Sequence, residues 1–147
     1  MRPIRYAACL ALAVALTGWT PALADHEHDK HFDECAKACS DCQRACDSCS
    51  EHCARMIAEG KKDHLPTLRT CQDCATHCAA AASITSRKGP FSDLICTACA
   101  DACARCGKSC EKFKDDEHMK KCAKECVACE KACREMLKHV KMHKDDK

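Results

Sequence analysis

The stretch CAKACSDCQRACDSCSEHC, residues 35–53, places cysteine at Cys35, Cys39, Cys42, Cys46, Cys49 and Cys53. Every step is three or four residues, the interval that keeps side chains on one face of an α-helix. At about 1.5 Å per residue this ladder is roughly 27 Å long. The spacing returns at Cys71, Cys74 and Cys78, again at Cys96, Cys99, Cys103, Cys106 and Cys110, and finally at Cys122, Cys126, Cys129 and Cys133. Four helices that each carry a cysteine face predict one interior lined with thiols. Such an interior suits soft metal ions.

Composition supports this by subtraction. From Asp25 onward, Leu, Ile, Val and Phe together number 12 among 123 residues, far fewer than an ordinary core uses. Cysteine occupies the apolar stripe instead, and a protonated thiol packs as a small hydrophobe. Over the same span 22 basic residues minus 22 acidic ones leave no net charge. No basic patch interleaved with aromatics points to nucleic acid.

Residues 1–24 read as an export signal. Arg2 and Arg5 form a positive head, residues 7–18 a short apolar run, and Ala22-Leu23-Ala24 a small-x-small cleavage site before Asp25. The run is too short to span a membrane, and no membrane association is expected once the signal is removed. Cys9 stands apart from the ladders within this segment. The expected location is outside the cytoplasm, periplasmic or secreted.

Residues 25–147 then read as one all-α domain, an antiparallel up-down-up-down four-helix bundle with a cysteine-lined core. The first helix is expected over 29–59 with Gly60 as its C-cap. The second opens on Asp63 as N-cap, accepts Pro66 in its first turn and ends near Ser86, before the breaker Arg87-Lys88-Gly89-Pro90. The third runs from Ser92 or Asp93 to about Phe113. A turn at 114–116 leads into the fourth, which ends near Lys141. The head 25–30 and the tail 143–147 are read as solvated. Phe32, Leu68, Ile95, Phe113, Met136 and Val140 are expected to plug the ladder ends.

Three uses of a thiol core compete. An exported chain with 18 cysteines beyond Cys9 invites disulfides. Helical neighbours, however, have Cβ atoms about 5–6 Å apart, whereas a disulfide wants roughly 3.5–4.5 Å. Zinc needs four ligands, and 18 thiolates neutralised by four zinc ions keep 18 minus 8, or ten, buried negative charges. Cu(I) accepts low coordination numbers, and a bridged array near one ion per thiolate is electrically neutral. Each ion is expected on an i, i+3 or i, i+4 pair. The alternative is a disulfide-stabilised or zinc-binding structural bundle. No catalytic constellation is visible, and no enzyme activity is expected.

The motif His52-Cys53-Ala54-Arg55-Met56, with KSCEKF at 108–113 and CVACEKAC at 126–133, resembles the copper storage protein family along essentially the whole chain after residue 24. The resemblance implies storage of multiple Cu(I) ions inside a preformed bundle. It also implies a homotetramer, and exported members that supply a copper enzyme or metallochaperone. The sequence departs from the family in lacking the adjacent arginines of a twin-arginine signal.

At one end of the bundle the antiparallel order gathers His52, Cys53, Met56, His64, Cys110, His118 and Met119. With the eighteen cysteines, His52, Met56 and Met119 complete the candidate metal-ligating set, because thioether and imidazole hold Cu(I) weakly enough to pass it inward. Plain gap-filling core is the other reading of both methionines. His64 and His118 are read as surface residues, and His77 as flanking. At the opposite end His26, His28, His31, His139 and His143 are read as a solvated polar region, with Cu(II) scavenging as the alternative.

Overall fold

A computed structural model describes residues 22–145, with side chains from 29 to 140. Residues 1–21, which carry most of the expected export signal, lie outside the described residues. Among the described residues there are four α-helices: α1 (Ala22–Ala58), α2 (Leu65–Ser86), α3 (Ser92–Cys110) and α4 (Glu117–Asp145). A 3-10 turn, Lys62–His64, precedes α2. None of the helices is long and apolar enough to cross a membrane.

Each helix packs on its two neighbours in a closed ring, α1 on α2, α2 on α3, α3 on α4 and α4 on α1. The sulfur contacts read out the helix directions. Between α1 and α3 the pairs Cys35–Cys96, Cys39–Cys99, Cys42–Cys103, Cys46–Cys106 and Cys49–Cys110 rise together, so these diagonal helices are parallel. Between α1 and α4 the order reverses, from Cys35–Cys133 through Cys42–Cys126 to Cys46–Cys122. This is the up-down-up-down bundle expected from the short connections.

The buried apolar side chains are the eighteen cysteines with Phe32, Ala75, Ala81, Ala100, Ala123, Met119 and Met136. Among the described residues no Leu, Ile or Val joins them. Leu68, Ile95, Phe113 and Val140 pack against this core from half-buried positions, as ladder-end plugs should.

Helix ends depart from the sequence expectations in four places. The first helix begins at Ala22 and the fourth runs to Asp145, so the head and most of the tail are helical. Neither segment contains Gly or Pro, and nothing in it interrupts the intrahelical hydrogen bonds. Helix α3 stops at Cys110, three residues early, because Phe113 N–H turns back to Cys110 O and Asp116 N–H to Phe113 O. Asp63 is not an N-cap. It lies inside the 3-10 turn, and no side chain caps α2.

Gly60 does close α1. Its φ is 93°, its N–H donates to Ile57 O, and Lys61 N–H donates to Met56 O. These two bonds are a Schellman closure, which needs a left-handed residue at the glycine. The same pair of bonds closes α2, with Lys88 N–H to Thr85 O and Gly89 N–H to Ile84 O. Here Lys88 takes the left-handed turn at φ 52°. Gly89 is needed for space instead, since a Cβ there would meet Ile84 Cγ2 at 3.0 Å and Ile84 O at 3.2 Å.

Gly60→Ala is therefore expected to destabilise the fold by about 1 kcal/mol, the cost of a side chain in the left-handed region. Urea denaturation of the reduced protein checks this, and an unchanged midpoint would contradict it. Far-UV circular dichroism of that metal-free protein is expected to be strongly helical, because protonated thiols already fill the core.

Candidate metal centre

Period three-and-four spacing turns each ladder toward the bundle axis, and all eighteen described cysteines are buried free thiols. Their sulfurs form one continuous network. From the far end, Cys35 meets Cys96 and Cys133 at 3.7 Å, and Cys133 meets Cys39 at 3.6 Å. Cys129 links Cys39 (3.6 Å) to Cys99 (3.9 Å), and Cys99 reaches Cys78 at 3.7 Å. Cys78 and Cys74 both touch Cys103, at 3.6 and 3.7 Å. Cys42 carries the network from Cys103 to Cys126 and Cys46 at 3.8 and 3.9 Å. Cys46 continues to Cys106 and Cys122, and Cys71 joins Cys106 to Cys110. Cys110 meets Cys49 at 4.0 Å. Cys53 joins beside Cys49 and also meets the Sδ of Met119 at 3.9 Å.

Most of these contacts run between helices. Cys42–Cys46 and Cys74–Cys78 are close pairs within one helix, at 3.9 and 4.0 Å. The shortest sulfur separations, 3.6 Å, lie across the axis or across a seam, so same-helix and cross-helix thiols stand within reach of one another. Several groups bring four sulfurs within 4.8 Å of one another, including Cys39, Cys99, Cys129 and Cys133 near the far end, Cys42, Cys74, Cys78 and Cys103 in the middle, and Cys49, Cys71, Cys110 and Cys122 near the mouth. Adjacent groups share members, as Cys42 does between Cys74, Cys78 and Cys103 on one side and Cys46, Cys74 and Cys126 on the other.

The thiols polarise one another. Hydrogen bonds from neighbouring thiols, that of Cys110 first, hold Cys49 down to about 5 and Cys106 down to about 6. Cys110, bonded to both, is pushed well above the thiol range, Cys106 being the largest cause. Burial raises all of them. A few thiolates can therefore be accommodated by S–H donors, but the array as a whole must keep its protons until cations replace them.

The mouth, the end of the bundle that carries His52 and so named for its place at the ladder's end, is built around Asp116. Its Oδ1 accepts from the backbone N–H groups of His118 (2.9 Å) and Met119 (3.2 Å), the N-cap of α4. Its Oδ2 lies 2.6 Å from His52 Nε2. Burial works to raise this carboxyl, yet the hydrogen bonds from His52, Met119 and His118 hold it below the usual carboxylate range. The cap fixes Met119, which is fully buried with its Sδ 3.4 Å from Cys49 Sγ and 3.9 Å from Cys53 Sγ. His118 stacks on His52 at 4.7 Å between ring centroids and meets Ser48 Oγ through Nε2 at 3.0 Å.

Of the three additional ligands read from the sequence, His52 and Met119 are brought together here. Met56 sits at the rim, half-buried, and its sulfur accepts from the Lys61 ammonium at 3.3 Å rather than from a thiol. His64 is not a surface residue. It is 5% exposed, stacks on Phe113 at 4.0 Å and stands 6.2 Å from His52. The 3-10 turn that replaced the expected Asp63 cap turns it inward, and its Nδ1 is buried without a partner. His118 is half-buried, and His77 lies exposed on the flank as expected. Sequence reading missed Asp116. Its signal was an acidic residue two and three positions before His118 and Met119, at the start of a helix.

A sequence profile for the family described as copper storage protein matches residues 20–138. An uncharacterised cysteine-rich protein of Bacillus subtilis, YhjQ, is 37% identical over 93 residues, 62% of this chain and 75% of that protein. Among solved structures, the cytosolic copper storage protein of Streptomyces lividans loaded with five coppers aligns at TM-score 0.70 and 31% identity. That alignment covers 76% of this chain and 96% of that one. The Cu(I)-bound BsCsp3 of Bacillus subtilis aligns at TM-score 0.65 and 34% identity, over 73% and 98% of the two chains.

Asp116→Ala is expected to cost about 1 kcal/mol, and Asp116→Asn much less, because asparagine keeps the cap and loses only the charge facing His52. Denaturation midpoints of the two variants check this. Because the folded carboxyl is depressed, its contribution should be complete above the ordinary carboxylate range and fade as pH falls through the folded value. Equal losses in both variants would contradict the capping role.

Proposed function

The chain belongs to the copper storage protein family, and from that membership we propose that it stores many Cu(I) ions on the thiols of its bundle. The observation that carries this reading is the unbroken sulfur network, in which adjacent thiols stand one metal-bridged step apart. Two metal–sulfur bonds of roughly 2.3 Å can span such gaps, which a disulfide cannot. A thiolate that bridges two Cu(I) ions, with each ion held by two thiolates, brings the ratio toward one ion per cysteine. Protein and cargo are then neutral together, and the buried array carries no net charge. This is capacity rather than turnover, and the reading assigns no reaction.

The ligand set comprises the eighteen described cysteines with His52 and Met119 at the mouth and Met56 at its rim. Met119 lies buried beneath this end with its sulfur against Cys49 and Cys53, so an ion that reaches its thioether is already in contact with the ladder. Residues 1–24 act as an export signal and 25–147 as the storage domain, which places the store outside the cytoplasm. The support is the positive head, short apolar run and small-residue cleavage site of the sequence. Cleavage before Asp25 would trim the first turn of α1 and leave every thiol contact in place. A tetramer and a copper enzyme or metallochaperone as recipient complete the proposal on family grounds.

Titration of the reduced protein with Cu(I) against a competing chelator tests the storage reading. The expected result is tight uptake approaching one ion per thiol and exceeding about ten per chain. Saturation near about four ions, or a lack of titratable thiols in protein isolated without reductant, would favour a zinc or disulfide bundle. Uptake should release about one proton per ion, so apparent affinity falls as pH is lowered. Cys42, Cys46, Cys103 and Cys129 replaced by serine should lower capacity. Met56 and Met119 replaced by leucine should leave capacity near normal and slow both loading and release. Wild-type rates in that methionine variant would remove the mouth assignment and leave storage standing.

A further inference from the structure

We propose that His31, His139 and Glu135 form a second metal site, for a divalent transition ion such as Cu(II), at the end of the bundle opposite the mouth. His31 stands one turn before Cys35 on α1, and His139 one turn after Met136 on α4. Their rings stack across the seam with centroids 3.5 Å apart and planes within 15°. Two imidazoles from different helices therefore share one small space, at half-buried positions. By register, Phe32 and Met136 stand between this pair and the last thiols, Cys35 and Cys133, and both are buried.

Two observations point to a ligand. The Nε2 of His31 is buried with no hydrogen-bond partner. Leaving a buried nitrogen unsatisfied is costly, and an ion that accepts its lone pair removes the cost. The Nε2 of His139 faces Glu135 Oε1 at 3.8 Å, too long for a hydrogen bond. The separation leaves the Glu135 oxygen uncommitted and beside the imidazole, within reach of an ion that the ring would hold. The other carboxylate oxygen, Oε2, is held by Lys138 Nζ at 2.7 Å, which orients the free one.

Donor chemistry sets the ion. Imidazole with carboxylate suits borderline divalent ions, among which Cu(II) binds most strongly, whereas the thiol interior suits Cu(I). The two sites thus sort oxidation states by ligand softness, with no electron transfer required between them. Rotation about the imidazole χ2 angles would let both rings address one ion at their edges, as their parallel faces leave no room between.

Cu(I)-saturated protein, in which the thiols are occupied, is titrated with Cu(II) and followed by electron paramagnetic resonance. One equivalent per chain is expected, with nitrogen coupling from two imidazoles. Combined His31→Gln and His139→Gln should abolish that coupling, and Glu135→Gln should weaken binding about tenfold. A triple change, His26→Gln with His28→Gln and His143→Gln, should leave the two-imidazole signal in place. Persistence of the signal in the His31/His139 variant, or its loss in the triple variant, overturns the proposal. Reduced Cu(I) capacity in the His31/His139 variant would also overturn it, by making these histidines part of the thiol store. If that variant fails to fold, the single His139→Gln change at its half-buried position gives the same reading. Cu(I) uptake is scored separately beforehand, so a failure of storage is not confused with a failure of this site.

Discussion

A buried sulfur can be a hydrophobe or an anion, and the whole molecule depends on which. With their protons on, the eighteen described thiols pack as the core of a bundle in which no Leu, Ile or Val among the described residues is fully buried. With the protons removed, the same core would be a dense cluster of negative charge in a medium that does not tolerate it. A monovalent soft cation resolves this one charge at a time. Neutral filled and neutral empty states can share one backbone because each proton is exchanged for one cation.

That constraint explains why the ladders are continuous. An isolated thiolate in the interior is stabilised only by neighbouring S–H donors, as Cys49 and Cys106 are by Cys110. A chain of sulfurs at 3.6–4.0 Å lets each newly charged site lean on the next. It also explains the scarcity of larger apolar residues along the axis, since a single Leu in a ladder would break the chain. The lost hydrophobic burial is made up at the ends, where Phe32, Met136, Ile95 and Val140 gather on one side and Leu68, Met119 and Phe113 on the other.

The two ends differ in kind. At the mouth, one carboxylate caps α4, positions Met119 against Cys49 and Cys53, and holds His52. Soft sulfur there runs from the buried Met119 to Cys49 and Cys53, with the Met56 sulfur apart at the rim. At the other end a stacked histidine pair lies beyond a bulky plug, tied to α2–α3 by the ion pair between Lys88 and Asp29. Hard and borderline donors stand there apart from the thiols.

The sequence by itself determined the helix number, the inward face of each helix and the identity of the core, because a spacing of three and four fixes the angle of every cysteine around its own axis. It also marked Gly60 as the closure of α1, since only a left-handed residue completes that turn cheaply. It could not determine which sulfurs meet. Periodicity gives direction around one helix but carries no information about the height or rotation of the helix opposite. The tertiary structure therefore decided that Cys42 faces Cys103 and Cys126 as closely as it faces Cys46. It likewise decided the fate of the histidines. His64 turned inward because a 3-10 turn replaced a capped helix start, His52 found Asp116 through the early end of α3, and His31 met His139 because α1 and α4 continue as helix past the ladders. Each of these rests on the geometry of a chain reversal or a helix end, where two segments distant in sequence are brought to one place by packing alone.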